Sequence, residues 1–449
     1  MHLVIIGGSD TGISAALRAR ELDREIDITV LVGDAYPNFS ICGVPFYLSG
    51  EIERWQALAH RTQNDIESLG IELRLNTRAT AIHAAEHALS LQNRESQESR
   101  IRYDRLIVAT GARPIRPPLP GVDSPRVFFL HSMEDSFRLE TFLTSAKPRS
   151  AVIIGAGYIG VEMADALTRR QIQVTLVEQA ATVLPTVHEE LGEMLQDHMH
   201  SHGVRVRTRA RVTALEDGED GIFVHGEPDW HVETDLVLVA VGVSPDTALA
   251  RAAGIAAGIR GAIRVDRYMR TSLPDVWAAG DCVETYHRLL GSNTYLPLGT
   301  TAHKQGRIAG ENAVGGRRAF EGSLGTQVVK VFDWAIGRTG LTEAEARHAG
   351  FYPLKASVTD WDHKVYYPGA TPMTVALIGD RSTGRLLGGQ IVGHWQGQVA
   401  KRLDILATTL HHQATVESLN DLDLSYTPPL RSPWDPVQQA AQKWLKVLS

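Results

Sequence analysis

The chain has 449 residues, of which 43% are hydrophobic and 22% are charged. This composition excludes collagen-like and largely disordered proteins, and the length suggests about three domains. The 45 basic and 52 acidic residues leave a net charge of −7, which argues against nucleic-acid binding because that function needs a basic surface. The N-terminus lacks a signal-peptide pattern, and no apolar run approaches the ~18–20 residues that span a bilayer. We therefore expect a soluble, cytoplasmic protein with neither a nucleic-acid nor a membrane partner.

Two segments of the chain repeat one pattern. Residues 3–20 and 151–170 each contain a short β-branched strand, a glycine turn and an alanine-rich amphipathic helix. A second apolar strand follows each segment, at 28–32 and 174–178. This order is typical of the βαβ unit of doubly wound nucleotide-binding domains. The spacing of about 148 residues is too long for a solenoid repeat, so the pattern predicts two separate domains.

The intervening and following segments predict how these domains are connected. Residues 113–125 contain five prolines, which cannot continue a helix or a central strand and therefore mark a crossing between domains. The apolar run at 275–281 ends in Gly-Asp, which predicts that the first domain resumes there. From about residue 321, short strands separated by turn signals and followed by a helical run predict an α+β domain.

The sequence thus predicts an α/β fold in which one doubly wound dinucleotide-binding domain is inserted into another, followed by a C-terminal α+β domain. The predicted boundaries are 1–112 together with 246–320 for the first domain, 113–245 for the inserted domain and 321–449 for the C-terminal domain.

The second glycine turn is a complete dinucleotide-binding motif, Gly155-Ala156-Gly157-Tyr158-Ile159-Gly160. Its first glycine permits the tight turn, its second lets the backbone approach a pyrophosphate, and its third lets the helix pack on the strand. The start of the helix offers unpaired N–H groups to the phosphates. Glu178 ends the next strand, where a carboxylate accepts ribose hydroxyls and disfavours a 2′-phosphate. The motif therefore predicts NADH binding, with NADPH disfavoured.

The first glycine turn, Gly7-Gly8-Ser9-Asp10-Thr11-Gly12, has serine at the second glycine position. The next strand ends at Val32, where a ribose carboxylate is expected, and Asp34 lies two residues further on. Thr110-Gly111 and Gly280-Asp281 end two further strands at the same edge of the sheet. An acid after the last of these strands suits the ribityl and phosphate region of a flavin. A second, differently built dinucleotide site therefore predicts FAD.

The two cysteines, Cys42 and Cys282, are too few for a disulfide framework. Gly43 and Pro45 after Cys42 read as a turn that opens a helix, and a helix N-terminus stabilises thiolate over thiol. An isolated cysteine is more often buried and inert. Since Cys42 directly follows the flavin-type unit, we favour a redox role for it and interpret Cys282 as a packing residue. No metal site is predicted.

With these residues, the chain resembles the flavin-dependent pyridine nucleotide–disulfide oxidoreductases, and within them the single-cysteine branch of coenzyme A-disulfide reductases, NADH oxidases and NADH peroxidases. The glutathione-reductase branch is excluded because it needs a Cys-x4-Cys pair and a C-terminal His-Pro, whereas position 47 is tyrosine and the chain has no His-Pro. Beyond the two glycine turns, the resemblance is carried by ATG at 109–111, GYIGVE at 157–162, AAGDC at 278–282, KQGR at 304–307, TGLTEAEA at 339–346, YYPGA at 366–370 and LDLSYTPPLRSPWDPV at 422–437.

The resemblance implies roles for individual residues. Cys42 matches a redox cysteine that cycles between thiolate and a mixed disulfide or sulfenic acid. Tyr158 matches the ring that covers the nicotinamide side of the flavin, and Glu162 matches a carboxylate near the carboxamide. The residues assigned to the two nucleotide sites are Gly7, Ser9, Gly12, Asp34, Ala79, Thr110, Gly111, Gly155, Gly157, Tyr158, Ile159, Gly160, Glu162, Glu178, Gly242, Gly280 and Asp281.

The resemblance also implies a homodimer with shared active sites and a C-terminal domain that forms the dimer. Tyr366, Tyr367 and Tyr426 resemble C-terminal tyrosines that face the redox cysteine from the partner subunit. A phenol there would protonate a departing thiolate. The alternative is that Tyr366 and Tyr367 belong to an ordinary β-turn.

Several positions depart from the family pattern. Asp10 occupies the place of a histidine in the oxidases and peroxidases, which argues against those activities. Ile41 and Glu21 replace the asparagine and the basic residue common in coenzyme A-disulfide reductases, so arginines nearby either contact coenzyme A phosphates or are simply solvated. His303 stands where asparagine is frequent. The residues assigned to substrate contact are Arg18, Arg20, Phe39, Ser40, His303, Arg307 and Tyr366.

These observations favour an NADH-dependent flavoprotein that reduces a small disulfide, persulfide or polysulfide through Cys42. Three alternatives remain open from the sequence. They are an oxidase or peroxidase that works through a cysteine sulfenate, an electron-transfer reductase for a protein partner, and a redox sensor without turnover.

Overall fold

The computed structural model describes residues 1–448. In the first segment an apolar strand, a glycine turn and an alanine-rich helix follow one another as the sequence predicts. The strands of this segment are β1 (His2–Ile6), β2 (Asp27–Leu31), β3 (Ile71–Arg74), β4 (Thr77–His83), β5 (Ala88–Asn93), β6 (Glu98–Arg102), β7 (Arg105–Val108) and β8 (Ala112–Pro114). Its helices are α1 (Asp10–Leu22), α2 (Val44–Ser49) and α3 (Gln63–Glu67).

The inserted segment repeats the βαβ arrangement around its own parallel sheet, of order β12-β11-β10-β16-β9. An antiparallel sheet, β13-β14-β15, covers one side of it. The strands are β9 (Val127–Phe128), β10 (Ser150–Ile154), β11 (Gln173–Val177), β12 (Arg205–Arg207), β13 (Arg211–Asp217), β14 (Ile222–Glu227), β15 (Trp230–Thr234), β16 (Leu236–Val239) and β17 (Val243–Pro245). The helices are α4 (Met133–Ser145), α5 (Tyr158–Arg169) and α6 (Glu189–Ser201).

The chain then returns to the first domain. The next elements are α7 (Ala248–Ala252), β18 (Val276–Ala278), β19 (Thr285–His287), β20 (Ser292–Thr294) and α8 (Gly299–Ala313). Strand β18 pairs with β7 at the edge of a parallel sheet of order β18-β7-β1-β2-β3. The predicted insertion of one doubly wound domain into another is therefore confirmed. The outgoing and returning chains pair side by side as antiparallel β8 and β17, and the predicted boundaries after residues 112 and 245 fall on this pair.

The C-terminal segment is an antiparallel sheet of order β21-β22-β25-β24-β23 with helices packed against it, which confirms the predicted α+β domain. Trp444 of the last helix is fully buried against this sheet. Among residues 1–448, no helix is both long and apolar enough to cross a membrane. The elements are β21 (Gln327–Val331), β22 (Trp334–Gly340), α9 (Glu343–His348), β23 (Pro353–Trp361), β24 (Pro372–Asp380), β25 (Leu386–His394), α10 (Val399–His411), α11 (Val416–Asn420) and α12 (Pro436–Leu448).

Helices α1 and α8 lie unusually close together. Side chains at Gly306 and Gly310 of α8 would collide with the backbone carbonyls of Thr11 and Ala15 in α1. The absence of a Cβ at both positions therefore lets the two helix backbones touch. This contact brings residues of α8 next to the first glycine turn.

Candidate active site

The second glycine turn has the conformation that a bound dinucleotide requires. Gly155 adopts φ +99°, and a Cβ at Gly160 would collide with the carbonyl of Gly155, so the helix packs tightly on the strand. A Cβ at Gly157 would meet no described heavy atom within 4 Å outside its own turn. Gly157 is the N-cap of α5 and provides no side-chain cap, which leaves the first N–H groups of the helix for an anion. The turn fits a pyrophosphate.

Glu178 stands directly after β11 and is buried. Its carboxylate accepts hydrogen bonds from the backbone N–H groups of Ala156 and Ala180, both at 2.8 Å. Glu178 therefore stabilises the glycine turn through its hydrogen bond with Ala156, and it also lies where a ribose would be recognised. Gly242 closes the same edge of the sheet with φ +104°, in the region that favours glycine.

The first glycine turn fits a second dinucleotide. Gly7 adopts φ +115°, and a Cβ there would collide with the carbonyl of Ala109. A Cβ at Gly12 would collide with the carbonyl of Gly7. Ser9 is the N-cap of α1, but its side chain makes no capping hydrogen bond, so the first N–H groups of α1 are again offered to a phosphate.

Two glycines on neighbouring strands complete this edge of the sheet. Gly111 and Gly280 adopt φ +71° and +84°, which bend the chain sharply after β7 and β18. Thr110 donates a 2.6 Å hydrogen bond from Oγ1 to the carbonyl of Asp246 and so joins the strand end to the returning chain. Burial, with the nearby charge of Asp10, raises the pKa of Asp281 to about 6. These residues would line the flavin site.

Asp34 and Ala79 lie beside the same turn. Asp34 accepts a 2.8 Å hydrogen bond from the N–H of Tyr36, and burial raises its pKa. The first residues of β4 are hydrogen-bonded to the segment after β2, through Asn76 and Thr77, which brings Ala79 alongside.

Cys42 lies in a 3₁₀ turn, Ile41–Gly43, immediately before α2, as the sequence predicts for a helix opening. It is exposed, whereas Cys282 is buried. Helix α2 packs against α5 of the inserted domain, and Val44 and Leu48 are part of that domain's hydrophobic core. The cysteine therefore sits where the two nucleotide-binding domains meet.

The prediction that the helix stabilises the Cys42 thiolate is wrong for the protein chain considered without its cofactors. Although Cys42 is exposed at the surface, the protein atoms packed around its sulfur partly desolvate the thiol and raise its pKa, and the charges of Glu162, Asp10 and Asp281 raise it further. A backbone hydrogen bond at Cys42 lowers the pKa of the thiol, but this effect is smaller than the desolvation and the charges that raise it. Burial also raises the pKa of Glu162 itself, to about 8, so this carboxyl is largely protonated at neutral pH.

Asp10 is the centre of a polar cluster that joins α1, α8 and the segments around Cys42. Asn38 donates a 3.3 Å hydrogen bond to Asp10 Oδ1, and His60 Nε2 lies 3.7 Å from the same oxygen. His303 Nε2 lies 3.4 Å from Oδ2, while its Nδ1 lies 2.9 Å from Ser14 Oγ. The hydrogen bond with Asp10 raises the pKa of His303. An imidazole, that of His303, therefore lies against the side chain at position 10.

We expect Asp10→Asn to lower the pKa of the Cys42 thiol and to speed its alkylation at pH 7.5 by roughly threefold, because removal of a negative charge near the sulfur increases the fraction present as thiolate. The measurement is the pH profile of iodoacetamide labelling, which follows the thiolate. Asp220→Asn, in the exposed turn between β13 and β14, is the control for a change in net charge. An unchanged profile in Asp10→Asn would contradict this electrostatic assignment.

Of the predicted substrate residues, Phe39 packs in an aromatic cluster beside Cys42. Its ring centroid lies 6.1 Å from Tyr36 and 5.5 Å from Trp55. The backbone N–H of Ser40 donates to the carbonyl of Leu58 at 2.8 Å, and the side chain caps no helix.

The predicted arginines are held by ion pairs. Arg18 binds Glu311 through Nε and Nη2, at 2.9 and 2.7 Å, and binds Glu21 through Nη1 at 2.9 Å. Arg307 lies 3.1 Å from the same Glu21 carboxylate. Arg20 points elsewhere, toward the carbonyls of Arg24 and Gly70.

The three predicted tyrosines lie in the C-terminal domain. Tyr366, Tyr367 and Tyr426 are 71%, 44% and 47% exposed. The side chain of Tyr366 interacts with that of Tyr426, and this hydrogen bond adds to desolvation in raising the pKa of Tyr366. The ring of Tyr367 contacts His363, with centroids 5.9 Å apart. Within the described chain these contacts join the tyrosines to one another rather than to Cys42.

Tyr158 begins α5 beside the second turn. Its hydroxyl accepts a 3.3 Å hydrogen bond from Thr186, and burial raises its pKa. Sequence reasoning missed His60 and Asn38, the two residues that complete the Asp10 cluster. Asn38 had one signal, a polar residue four positions before Cys42, whereas nothing in the sequence distinguishes His60.

Comparison with known proteins agrees with this geometry. Residues 1–306 match the pyridine nucleotide-disulphide oxidoreductase family, and residues 326–436 match its dimerisation domain. A relative from Pyrococcus abyssi, an NAD(P)H sulfur oxidoreductase (CoA-dependent), is 32% identical over 97% of this chain and 96% of its own. An NADH oxidase from Methanocaldococcus jannaschii is 30% identical over the whole of both chains. The structure of an NAD-dependent persulfide reductase from A. fulgidus superimposes with a TM-score of 0.95, at 35% identity over 98% of this chain and 82% of that one.

Proposed function

The chain belongs to the pyridine nucleotide-disulphide oxidoreductase family, and we propose that it is an NADH-dependent flavoprotein that reduces a small disulfide or persulfide through Cys42. FAD and a nicotinamide nucleotide are the cofactors of this family, and the dimerisation domain makes the chain a homodimer. The observation that carries the proposal is the position of Cys42. It is the exposed cysteine of the two, and carboxylates from both nucleotide-binding domains act on its thiol.

The proposed reaction begins at sulfur. The Cys42 thiolate attacks one sulfur of a disulfide R–S–S–R′, which forms Cys42–S–S–R and releases R′S⁻; a persulfide releases HS⁻ in the same way. Bound FAD would supply the electron pair, taken as hydride from NADH, that reduces this mixed disulfide to the Cys42 thiolate and RS⁻. Division into two transfers replaces one difficult step with two easier ones.

Two proton transfers accompany this reaction, one from the Cys42 thiol and one to the leaving thiolate. Carboxylates raise the pKa of Cys42, so a nearby base must hold the proton before attack. His303, oriented by Ser14 and Asp10, is the imidazole of this cluster with a raised pKa, and we assign it to receive and return that proton. The leaving thiolate would take a second proton from Tyr426 of the partner subunit, in an active site shared across the dimer.

We propose NADH rather than NADPH as the electron donor. The buried Glu178 carboxylate lies at the end of β11 and is fixed by two backbone N–H groups, so it cannot swing away from a 2′-phosphate. A like charge at that position disfavours NADPH.

Oxygen reduction is the second candidate function, because the Methanocaldococcus jannaschii relative is an NADH oxidase and the similarity extends over the full length of both chains. Consumption of NADH separates the two. The proposal predicts that the purified holoenzyme oxidises NADH in oxygen-free buffer only when a disulfide or persulfide is added, and faster than it oxidises NADPH. An oxidase would instead be established if NADH were oxidised rapidly in air without added disulfide and were not oxidised in oxygen-free buffer with added disulfide.

The ion pairs around Glu21 make a prediction about coenzyme A. If the phosphates of coenzyme A disulfide bind Arg18 and Arg307, Glu21→Gln removes the acid that both guanidinium groups share, although Arg18 keeps its ion pair with Glu311. The substitution should then raise kcat/KM for that substrate by up to about fivefold at low salt. Turnover of pantethine, which lacks the phosphates, stays unchanged. Glu25→Gln, an exposed acid just beyond α1, is the control. An equal response to both substrates would exclude these arginines from phosphate recognition.

A further inference from the structure

A second histidine cluster lies away from Cys42, between the inserted domain and the C-terminal domain. His198 and His202 are one helical turn apart at the end of α6. They face Phe332 and Asp333, which form the turn between β21 and β22, and Trp334, the first residue of β22. The His198 ring stacks on Trp334 with centroids 4.3 Å apart, and the His202 ring stacks on Phe332 at 4.2 Å, both at 10° between planes. The two aromatic residues thus hold the imidazoles on either side of the aspartate.

Both imidazoles direct the same nitrogen to Asp333. His198 Nε2 lies 2.8 Å and His202 Nε2 lies 3.7 Å from Asp333 Oδ1. The His198 side chain is buried, with only 8% of its surface exposed. Its Nε2 lies within hydrogen-bond distance of Asp333, but among the described residues no acceptor, Asp333 included, lies at the angle of a hydrogen bond to it. A short separation without hydrogen-bond geometry is what two ligands of one cation show, because each directs its lone pair at the cation and not at the other ligand.

The tautomer of His202 supports the same interpretation. Its Nδ1 lies 2.9 Å from the backbone carbonyl of His198, and a carbonyl can only accept, so Nδ1 carries the hydrogen. In the neutral ring, Nε2 therefore presents a lone pair toward a carboxylate that is also an acceptor. Metal-bound histidines commonly donate their second N–H to a backbone carbonyl in this way.

His394 completes the surroundings of the carboxylate. Its Nδ1 accepts a hydrogen bond from the N–H of Gln396 at 3.3 Å, so its neutral form carries the hydrogen on Nε2. That nitrogen lies 3.9 Å from Asp333 Oδ2. His394 thus lies beside the carboxylate, and because its Nε2 carries the hydrogen we do not count it as a ligand.

We propose that His198, His202 and Asp333 bind a zinc ion that fastens α6 of the inserted domain to the β21–β22 turn of the C-terminal domain. Their three ligand atoms lie within 4.8 Å of one another. Ligands at 2.0–2.2 Å from tetrahedral zinc are about 3.4 Å apart, a value that the observed 2.8 and 3.7 Å bracket. Two imidazoles and one carboxylate form a usual zinc donor set, with water in the fourth position.

The test compares zinc bound by FAD-loaded holoenzyme after treatment with a chelator and dialysis against micromolar zinc sulfate. We expect wild type to retain one zinc per chain more than His202→Ala, and Asp333→Asn to lose the same equivalent while keeping the shape of the turn. His200→Ala, on the same helix with its Nδ1 on the Val204 carbonyl, is the matched control and should bind as wild type does. His303→Asn disrupts the Asp10 cluster and should keep the zinc equivalent assigned to His198, His202 and Asp333, which distinguishes the two clusters.

A second measurement connects binding to the contact between domains. Zinc should raise the thermal unfolding midpoint of wild type by about 2–4 °C or more, and this rise should disappear in His202→Ala and Asp333→Asn. Equal zinc content and equal thermal response in wild type and both variants would overturn the proposal and leave a protonated ion pair at this contact. Neither result bears on the proposed disulfide chemistry, because Cys42 is not part of the cluster.

Discussion

Substitution of Cys42 by serine is expected to reduce disulfide turnover by roughly 1,000-fold or more, because loss of the nucleophile removes both proposed transfers at sulfur. The variant should keep its FAD, and anaerobic NADH should still bleach the flavin absorbance at a rate close to that of wild type. A loss of disulfide turnover without a loss of flavin reduction would separate the reaction at Cys42 from the transfer of hydride from NADH. The measurements are steady-state thiol release and stopped-flow flavin absorbance on the same preparation.

Cys282→Ser is the matched control for this experiment. Cys282 is fully buried, and its Sγ approaches the carbonyl of Ala279 at 3.3 Å, a contact that a serine hydroxyl also makes. This variant should retain disulfide turnover. Undiminished reductase activity in Cys42→Ser would reject the cysteine mechanism, and an equal loss in both variants would indicate damage to the fold.

Substitution of Gly157 by valine is expected to raise KM for NADH by roughly 10- to 100-fold with little effect on stability. The residue has φ −73° and ψ −172°, an extended conformation that a β-branched side chain adopts readily. No described heavy atom outside the turn lies within 4 Å of a Cβ there. The new methyl groups would therefore occupy the space of the pyrophosphate and cost one or two charge-assisted hydrogen bonds. Steady-state kinetics and thermal unfolding measure the two effects.

Gly160→Ala provides the contrast. Its Cβ would collide with the carbonyl of Gly155, so this smaller change should lower the yield of folded holoenzyme and its unfolding midpoint. If Gly157→Val bound NADH as wild type does, the second glycine turn would not be the nicotinamide nucleotide site.

Local sequence patterns were sufficient to predict the architecture. The βαβ units, the insertion and the α+β domain depend on strand and helix periods and on glycine and proline positions, all of which act over a few residues. The helix after Cys42 was predictable for the same reason. The Gly-Asp at the end of the later strand indicated that β18 returns to the sheet of the first domain, whereas its pairing with β7 was seen only in the structure.

The electrostatics of the site were not predictable in this way. The pKa of Cys42 depends on Asp10, Glu162 and Asp281, which come from three parts of the chain. His303 reaches Ser14 across 289 residues because glycines let α8 touch α1. The sequence left open whether Arg18 and Arg307 contact phosphates or are simply solvated. Instead they are paired with acids, since Glu21 and Glu311 lie on the same two helices.

The most direct test of the proposed function is the intact mass of the holoenzyme during one catalytic cycle. Oxidised enzyme reduced once, freed of reductant and then mixed with a disulfide in oxygen-free buffer should gain the mass of one thiol on Cys42, and NADH should remove it. Peptide mapping assigns the adduct to Cys42 or Cys282. Turnover of the disulfide with no adduct at any time, or a lasting gain of 16 mass units in its place, would contradict reduction through a Cys42 mixed disulfide.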